Sequence, residues 1–467
     1  MSKLITSPLY SLADISIIPS VTSTIKSRSE CDPFQDSIGE GDTRFLPLIS
    51  APMSCIYQGG DEWKELVEEK INPVIPRTFD LQDRLEFSKT LMTAFSLSET
   101  YDILEKGDTE RKWYICIDMA NGHMEEQIET GRKLREKFGD SLVLMGGNIA
   151  NPLTYLKYDK AGFDYVRCGI GGGNSCFVAG TQVTMSSGET KSIEDVNIGD
   201  IVKTKSGNFK VLEKGRKKSN SFITINDKVT CTEDHKFFVI NKKDKQLDRS
   251  GYYVEAKDLN KDLHLLVKYR TTIELEEITS ISTYKTDTPE DVYDLEIESE
   301  HSYIANGYVV HNCLTSTQTA IHTPMASLLS GINEIRRNSR TKVVADGGIS
   351  GYSDIIKCLA LGADYVMMGR IFTKAAFSGQ EVGQEVPYYG MSTKKAQKEM
   401  GGKGNKTAEG RETKVIKEYT LSGWAENFRD YLRSAMSYTD SRNLYEFSQE
   451  SICNVISPNS SYSINNK

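Results

Sequence analysis

Short apolar segments alternate with amphipathic segments in the outer parts of the chain, and this alternation restricts the fold more than any other feature. "WYICIDMANGH", "MEEQIETGRKLREKFG" and "SLVLMGGNIA" follow one another, and "KVVADGGIS", "GYSDIIKCLALGA" and "DYVMMGRIF" repeat that order. Continuous apolar strands separated by helices of about 10–15 residues indicate a parallel sheet with helical crossovers. Polar residues follow the strand ends, where barrels and doubly wound sheets carry their sites. The outer parts are therefore predicted to be α/β.

Residues 177–310 have a different pattern. Short alternating segments, such as "NFKVLEK", "SFITIN", "DVYDLEIE" and "SYIANGYVV", are separated by Gly, Asn and Asp turns, which predicts an all-β module of short strands. A β-rich block within a βα repeat indicates an inserted domain, which a surface loop tolerates when its two ends lie close together. Beyond about Glu450 the sequence is rich in Ser and Asn, which predicts a loose tail.

Length and composition exclude several classes of function. A chain of 467 residues has room for two or three domains, and its net charge of −8 gives no basic excess for a nucleic-acid partner. No apolar run approaches the ~18 residues of a spanning helix, and the first residues lack the apolar core of a signal peptide. We therefore expect a cytoplasmic protein with neither a membrane nor a nucleic-acid partner. Nine cysteines without a CxxC pair predict reduced, mostly buried thiols.

Reactive side chains lie at both borders of the β-rich block. Cys176 begins it, and His311 and Asn312 end it, followed by Cys313. The Cys176 thiol can attack the carbonyl of Ser175 and form a thioester, which the Cys313 thiol can take over. The Asn312 amide can then cyclise and cleave the chain, after which an acyl shift joins Ser175 to Cys313. Each amide attack needs a proton donor for the leaving nitrogen, a role that histidine commonly fills.

The block resembles the self-splicing inteins. "CFVAGTQVTMSSGETKSIEDVNIGDIV", "VTCTEDHKFFVI" and "DVYDLEIESEHSYIANGYVVHNC" are similar to the family's N-terminal block, its Thr-x-x-His block and its two C-terminal blocks, in that order. The segment 176–312 is too short to include a homing endonuclease, so the resemblance implies a mini-intein with the all-β Hint (horseshoe) fold. A hedgehog-like module shares this fold and the first step, but it does not need Asn312 and Cys313.

The intein resemblance also implies residue roles. The residues implied to act in splicing are Cys176, Thr232, His235, Asp294, His301, His311, Asn312 and Cys313. Thr232 and His235 would assist the first acyl shift, and Asp294 would assist the transfer to the second cysteine. The two later histidines would aid cyclisation of the asparagine. Splicing of this kind needs no cofactor.

The chain outside the block resembles the IMP dehydrogenase/GMP reductase family over nearly its whole length. The matching stretches, in collinear order, are "LADISIIPS", "SRSECD", "LPLISAPM", "IDMANGH", "GGNIA", "GIGGGNS" with "CLT", "VVADGGI", "LGADYVMMG", "YYGMSTKKA" and "AEG". The resemblance implies a (β/α)8 TIM barrel formed by residues 1–175 and 313–467 and interrupted by the mini-intein at 176–312. Excision would rejoin "GIGGGNS" to "CLTSTQ" and place Cys313 in a glycine-rich loop.

This second resemblance implies an oxidoreductase site for a purine nucleoside monophosphate and a nicotinamide cofactor. A Cys313 thiolate would add to C2 of the purine, and backbone N–H groups of a glycine-rich loop favour a thiolate and a phosphate alike. Thr315 and Glu409 would handle proton transfer around C2. The implied substrate-binding residues are Asp346 at the ribose, Asn174, Gly348, Gly369 and Tyr388 at the phosphate, and Gly390 and Met391 near the base. The implied cofactor-binding residues are Asp118, Asn148 and Arg167. A K+ ion near Gly169, Gly171 and Cys313 is a further expectation.

Two reaction directions stay open, together with a reading in which the barrel is not a catalyst. GMP reductases use NADPH to convert GMP into IMP and ammonia, and IMP dehydrogenases use NAD to oxidise IMP to XMP. The short segment before "WYICIDMANGH", the strand end "IDMANG" and a flap at 388–409 without an Arg-Tyr pair favour the reductase. Asn174, Ser316 and Ser54 depart from the family pattern, so altered or lost activity also stays open. A nucleotide-binding barrel with the intein as sole catalyst is the other alternative. The family resemblance implies a homotetramer after splicing.

Overall fold

A computed structural model gives the fold of the chain. It describes residues 9–41, 43–119, 121–169, 176–233, 235–242, 252–269, 272–297, 302–311, 323–336, 339–349, 351–389, 393–400 and 412–455. The chain divides into two compact units, one formed by Met1–Gly171 with His322–Lys467 and the other by Gly172–Ile321. An inserted unit thus lies close to the predicted place, while the borders 176 and 312 stay a prediction.

The first unit is built around a curled sheet of seven parallel strands. Their order across the sheet is Leu48–Ser50, Tyr365–Met368, Lys342–Asp346, Tyr165–Cys168, Leu142–Ile149, Trp113–Ile117 and Thr93–Phe95. All five residues of Trp113–Ile117 are buried. Such continuous burial is expected of a parallel strand that is covered on both faces. The strands predicted from "WYICI", "SLVLMGGNI", "KVVAD" and "YVMM" are therefore confirmed.

Residues 72–75 connect the two edge strands of this sheet. Asn72 pairs in parallel with Ile49, and Ile75 pairs in parallel with Thr93. The backbone N–H of Ser50 donates to the carbonyl of Asn72 at 2.9 Å, and that of Ala94 donates to Ile75 at 2.9 Å. Backbone hydrogen bonds therefore continue from one edge of the sheet to the other, which is consistent with the predicted (β/α)8 barrel.

The helices of this unit bury one apolar side against the core. In Leu421–Tyr438 the buried residues Leu421, Trp424, Phe428 and Leu432 recur every three or four positions, as one face of a helix requires. The α-helices are Glu62–Glu68, Leu81–Phe87, Leu97–Lys106, Glu125–Phe138, Pro152–Lys160, Met325–Arg336, Tyr352–Ala360, Arg370–Lys374, Lys394–Glu399, Leu421–Tyr438 and Leu444–Glu450. The helices predicted after "IDMANGH" and "ADGGIS" are among them.

The shorter strands of the first unit form separate pairs. They are Ile15–Ile18 with Ile452–Val455, Gln35–Asp36 with Arg44–Phe45, Ala375–Ala376 with Tyr419–Thr420, and Glu385–Tyr389 with Glu412–Ile416. The first pair corrects the prediction of a loose tail from about residue 450. Composition does not reveal that the strand Ile15–Ile18 offers antiparallel hydrogen bonds to Ile452–Val455. Residues 456–467 lie outside the described residues.

The described residues of the second unit form β-strands and two short 3-10 turns, without an α-helix, as predicted. One five-stranded sheet has the order Ile201–Lys203, Asn208–Ile225, Val229–Cys231, Phe177–Val178 and Ile281–Ile297. The eight-stranded sheet contains Thr190–Ser192, Gln182–Thr184, Ser302–Ala305, Tyr308–His311, Lys236–Asn241, His264–Tyr269 and Ile273–Glu277 in order, with Tyr252–Glu255 paired to Lys236–Asn241.

Two strands of this unit are much longer than the sequence pattern predicts. "NFKVLEK" and "SFITIN" belong to the single strand Asn208–Ile225 of 18 residues, and "DVYDLEIE" belongs to Ile281–Ile297 of 17 residues. The two strands pair with each other along nearly their whole length, with irregularities near Glu213 and Ser219. The ladder continues through "GRKKSNS", which the sequence suggests to be a turn, because the partner strand satisfies its backbone groups.

A polar network fixes the last hairpin of the unit, which joins Ser302–Ala305 to Tyr308–His311. Glu276 Oε1 accepts hydrogen bonds from Lys228 Nζ at 2.6 Å, Tyr308 OH at 3.0 Å and Asn226 Nδ2 at 3.2 Å. Its other oxygen accepts from Lys268 Nζ at 2.8 Å. Burial opposes the charge, but these hydrogen bonds outweigh it and lower the pKa of Glu276 to about 2.

Within the described ranges, no helix combines the length and the apolar character that crossing a bilayer requires. The eight cysteines that the structure describes form no disulfide, and seven of them are buried. This arrangement agrees with the reduced thiols expected from the sequence.

We predict that Glu276→Gln weakens the hairpin, because the ammonium of Lys268, only 10% exposed, loses its counter-charge. The expected cost is about 2 kcal/mol, which corresponds to amide exchange about 30-fold faster in residues 302–311 by mass spectrometry of the full chain. Glu277→Gln is the matched control, because that neighbouring carboxylate is 72% exposed. Equal exchange in the two variants would contradict the role given to the network.

Candidate functional site

Six of the residues predicted for substrate and cofactor, and Gly169 of the predicted K+ position, lie at the carboxyl ends of five neighbouring parallel strands. Asp118 follows the strand Trp113–Ile117, and Asn148 lies near the end of Leu142–Ile149. Arg167 lies in the strand Tyr165–Cys168, and Asp346 ends Lys342–Asp346. Gly169, Gly348 and Gly369 lie just beyond three of these strand ends. The carboxyl ends of parallel strands meet on one side of a curled sheet, so the topology brings these residues together.

Four of these side chains form one hydrogen-bonded network. Arg167 Nη1 contacts Asp118 Oδ1 at 3.0 Å, and Arg167 Nε contacts Asp346 Oδ2 at 3.1 Å. Asn148 Nδ2 donates to the same Asp346 oxygen at 2.8 Å. The sequence analysis assigned Asp346 to the ribose and the other three to the cofactor. The structure joins all four in one network through Arg167 and Asp346.

The electrostatics of this cluster are set by a nearly buried guanidinium. Arg167 is only 8% exposed, and burial alone would disfavour its charge. The surrounding negative groups, Asp346 foremost, outweigh the burial and raise the pKa of Arg167 above its usual value. The guanidinium therefore stays charged. It bridges the side chains of Asp118 and Asp346, which would otherwise repel each other.

Gly169 provides a close backbone approach beside the cluster. Its φ is +124°, and a Cβ at this position would lie 2.3 Å from the carbonyl oxygen of Asp346. Its own carbonyl accepts a hydrogen bond from Asn148 Nδ2 at 2.9 Å. Only glycine fits between these two strand ends. At Gly369 a Cβ would lie 2.4 Å from Met53 Sδ, so a larger residue there would displace the flexible Met53 side chain.

Tyr388, predicted to lie at the phosphate, is partly buried in the hairpin Glu385–Tyr389/Glu412–Ile416. Burial, and then the nearby Cys55, raise the pKa of Tyr388 to about 12, which keeps the phenol protonated. The Arg370 guanidinium lies 5.7 Å from its ring centroid. The sequence analysis missed Arg370, although it directly follows Gly369 and adds a positive charge beside Tyr388.

In the second unit, Cys176 lies between two predicted assisting residues in adjacent strands. Phe177 pairs with Cys231 on one side and with Tyr293 on the other. One step further along both ladders, the residues opposite Cys176 are Thr232 and Asp294. Thr232 N donates to the carbonyl of Cys176 at 2.9 Å, which fixes the first of these positions.

Thr232 bonds both backbone groups of Cys176, which belong to two successive peptide bonds. The Cys176 N–H donates to Thr232 Oγ1 at 2.9 Å, and the same hydroxyl donates to the carbonyl of Cys176 at 3.2 Å. The backbone N–H of His235 donates to the carbonyl of Thr232 at 3.0 Å, closing the Thr-x-x-His turn. This turn sets the His235 ring against Phe177, with the ring centroids 3.9 Å apart. Thr232 thus contacts the amide that the first acyl shift would break.

The first strand and the final hairpin of the second unit share an aromatic contact. The ring of Phe177, next to Cys176, lies 6.1 Å from the ring of Tyr303. Tyr303 pairs with Val310, and Ser302 pairs with His311. Phe177 and Val310, each next to one end of the described part of the predicted insert, therefore lie in one buried cluster with Tyr303.

Asp294 has a buried partner that the sequence analysis missed. Tyr303 OH donates to Asp294 Oδ1 at 2.8 Å, and the backbone N–H of Leu295 donates to the same oxygen at 2.9 Å. Asp294 is 6% exposed, and Tyr303 is fully buried. A tyrosine in "SYIANG" looks like an ordinary core residue, so nothing in the sequence singles it out.

Several predicted site residues lie outside the described residues. They are Gly171, Asn174, His301, Asn312, Cys313, Thr315, Gly390, Met391 and Glu409, and His311 is described in its backbone alone. In the part of the chain that is described, no group of three or more His, Cys, Asp or Glu side chains could hold a metal ion. The predicted K+ position near Gly169 stays a prediction.

We predict that Gly169→Ala destabilises the first unit by about 3 kcal/mol, because a methyl group collides with Asp346 and the φ is unfavourable. Gly379→Ala is the matched control, since Gly379 also has positive φ but open space around its Cβ position. Its expected cost is about 1 kcal/mol. Urea unfolding by tryptophan fluorescence measures this unit alone, because Trp63, Trp113 and Trp424 all belong to it. Equal midpoints for the two variants would contradict the close approach.

The chain matches the model of the IMP dehydrogenase / GMP reductase domain in two segments, residues 93–206 and 309–463. Together they cover more than half of the 467 residues. The interruption between them falls within the second compact unit, which is consistent with an insertion. Both segments extend some way into that unit, so the ends of the match do not define its borders.

Similar proteins include a GMP reductase of Staphylococcus carnosus (strain TM300), 30% identical over 179 residues, which are 36% of this chain and 53% of that protein. A GMP reductase of Streptococcus pneumoniae (strain Hungary19A-6) is 30% identical over 182 residues, 36% of this chain and 52% of that protein. The chain thus spans about half the length of these relatives. The parallel sheet, its cluster of polar strand ends and the two-segment match lead to one conclusion: this chain belongs to the IMP dehydrogenase/GMP reductase family.

Proposed function

We propose that the chain is a precursor that splices out residues 176–312 and thereby yields a purine-nucleotide oxidoreductase. The observation that carries the first part is the position of Cys176 between Thr232 and Asp294, with the Thr232 hydroxyl bonded to the N–H of the Ser175–Cys176 amide. Polar side chains around a reacting amide can polarise its carbonyl and supply a proton to the leaving nitrogen.

The meeting of the two ends of the insert also supports splicing. Transfer between two cysteines needs both thiols in one place, and a thiol 1 Å out of position can lose about 100-fold in rate. The contact of Phe177 with Tyr303, which pairs with the last strand, supplies this closeness for the described residues. The proposed sequence is attack of Cys176 on Ser175, transfer to Cys313, cyclisation of Asn312 and a final acyl shift.

We predict that the expressed chain separates into an excised 176–312 fragment and a ligated product of 1–175 with 313–467. Intact-mass spectrometry distinguishes these species from the precursor. Cys176→Ala combined with Asn312→Ala removes the nucleophile and the cyclising amide, so the precursor alone is expected. Thr224→Val is a control that should splice like the parent chain. This partly buried threonine lies in the same sheet, but its hydroxyl bonds Thr230 instead of the backbone of Cys176. A parent chain that stays at the precursor mass under reducing conditions would refute splicing.

For the ligated product we propose the GMP reductase direction, in which GMP and NADPH give IMP and ammonia. The named relatives are GMP reductases. Residues 76–112, all described, contain a helix, a strand and a second helix of the first unit. They leave no space for the paired regulatory domains of many IMP dehydrogenases. The Cys313 thiol would add to C2 of the purine, and loss of the 2-amino group as ammonia would follow.

A nicotinamide cofactor fits the described cluster. Asn148 Oδ1 is buried and has no hydrogen-bond partner among the described residues, so it can accept from an amide such as a carboxamide N–H. Asp346, which is itself paired with Arg167, fixes the Asn148 side chain at its other end by accepting from Nδ2. The bound cofactor would supply the hydride at C2. The chain's own groups would orient both molecules at the strand ends.

We predict that the ligated product consumes NADPH with GMP and releases ammonia, both measurable by absorbance and an ammonia assay. Oxidation of IMP with NAD, without GMP turnover, would reverse the assignment to IMP dehydrogenase. In a gene lacking codons 176–312, Cys313→Ala is expected to abolish turnover. Retained nucleotide binding with no turnover in the unmutated ligated protein would instead favour a binding barrel. The Cys176→Ala, Asn312→Ala precursor should be inactive, because Cys313 is still bonded to Asn312 next to the insert. Substrate identity and a homotetrameric assembly remain parts of this proposal.

A further inference from the structure

We propose that Tyr303 is a positioning residue for splicing, which holds the Asp294 side chain aligned for the transfer of the acyl group to Cys313. This inference rests on the proposed splicing function and assigns a role to a residue outside the intein-like set. Its starting point is the 2.8 Å hydrogen bond from Tyr303 OH to Asp294 Oδ1.

The hydroxyl acts as a donor because it remains protonated. Burial, and then the charge of Asp294, raise the pKa of Tyr303 well above its usual value. A buried carboxylate needs hydrogen-bond donors to stay charged. Oδ1 of Asp294 receives two, from Tyr303 and from the backbone N–H of Leu295. The N–H of Leu295 belongs to the strand that contains Asp294, whereas the Tyr303 hydroxyl belongs to the final hairpin.

The location links this carboxylate to both ends of the insert. By register Asp294 lies opposite Cys176. Tyr303 pairs with Val310, and the strand of Val310 is the last one before Cys313 in the sequence. The hydrogen bond therefore joins the final hairpin to the strand Ile281–Ile297, which itself pairs with the first strand of the insert.

The transfer step balances as follows. The Cys313 thiol gives its proton to Asp294, and its sulfur attacks the carbonyl of the Ser175 thioester. The bond from that carbonyl to the Cys176 sulfur breaks, and the thiolate that leaves takes the proton back from Asp294. No oxidant, reductant or other reactant is needed.

Other titratable groups lie near Asp294, on the elements packed against its strand. The Cys176 and Cys231 thiols lie on the neighbouring strands, and His235 lies on the turn after Thr232. In the other paired strand Gly215 is opposite Asp294, and its neighbours Lys214 and Arg216 extend over the ring of Tyr293. Arg216 is paired with Asp291 at 2.7 Å.

The test separates the two chemical steps in the full chain. In a Cys313→Ala background, cleavage of residues 1–175 by dithiothreitol measures thioester formation alone. In an Asn312→Ala background, the branched intermediate is measured by its gel mobility and by the peptide that links Ser175 to Cys313. Tyr303→Phe should leave the first rate within about 2-fold and slow branching about 10-fold near neutral pH.

The pH profile identifies the cause. Loss of a donor disfavours the charged carboxylate, so the acid limb of the branching rate should move to higher pH and the rate should recover in alkali. Tyr308→Phe is the matched control, because it removes another buried hydroxyl of the same hairpin, one that donates to Glu276 instead. It should leave the branching rate and its pH profile unchanged.

Equal, pH-independent losses in both steps, or the same loss in Tyr308→Phe, would overturn the positioning role. Unchanged branching in Tyr303→Phe would overturn it as well. Failure of splicing itself has a different signature, since the parent chain would then give neither thiol cleavage nor a branched species.

Discussion

The contact between Phe177 and Tyr303 is the constraint on which the inserted unit depends. A domain can be inserted into a loop only if its first and last residues lie close together in space. Here the first strand and the final hairpin share one buried aromatic cluster. His235 packs on the same Phe177 ring, so the Thr-x-x-His turn lies beside this aromatic cluster. The hydrophobic effect that closes this cluster thereby also assembles polar groups around the Cys176 peptide.

In the first unit the corresponding constraint is a shared buried charge. Arg167 is held by Asp118 and Asp346 from two different strands, and Asn148 joins them from a third. Breaking such a buried ion pair leaves an uncompensated charge, so the strand ends are held in one arrangement. In the proposed function this rigidity serves orientation, because the same cluster would face both nucleotide and cofactor. Cys313 would then join that site only after serving as acceptor in the splicing reaction.

The sequence predicted element types better than element extents. The alternation around "WYICIDMANGH" was sufficient for strand, helix and strand, because burial on both faces leaves a continuous apolar run. It did not reveal the 18-residue strand Asn208–Ile225, since "GRKKSNS" is polar and its pairing comes from a partner about 75 residues away. The strand Ile452–Val455 was missed for the same reason, as its partner is at the other end of the chain.

The sequence by itself determined the family and the division of the chain into an α/β part and a β-rich part, and it predicted the reactive residues at the borders of the insert, because these depend on residue type and order. Only the tertiary structure decided that Asp346 shares its contacts with Arg167 and Asn148, and that Tyr303 is the partner of Asp294. Both facts depend on which strands lie side by side. Pairing between distant segments is fixed by packing and backbone hydrogen bonds across the whole fold, and local sequence contains no direct record of it.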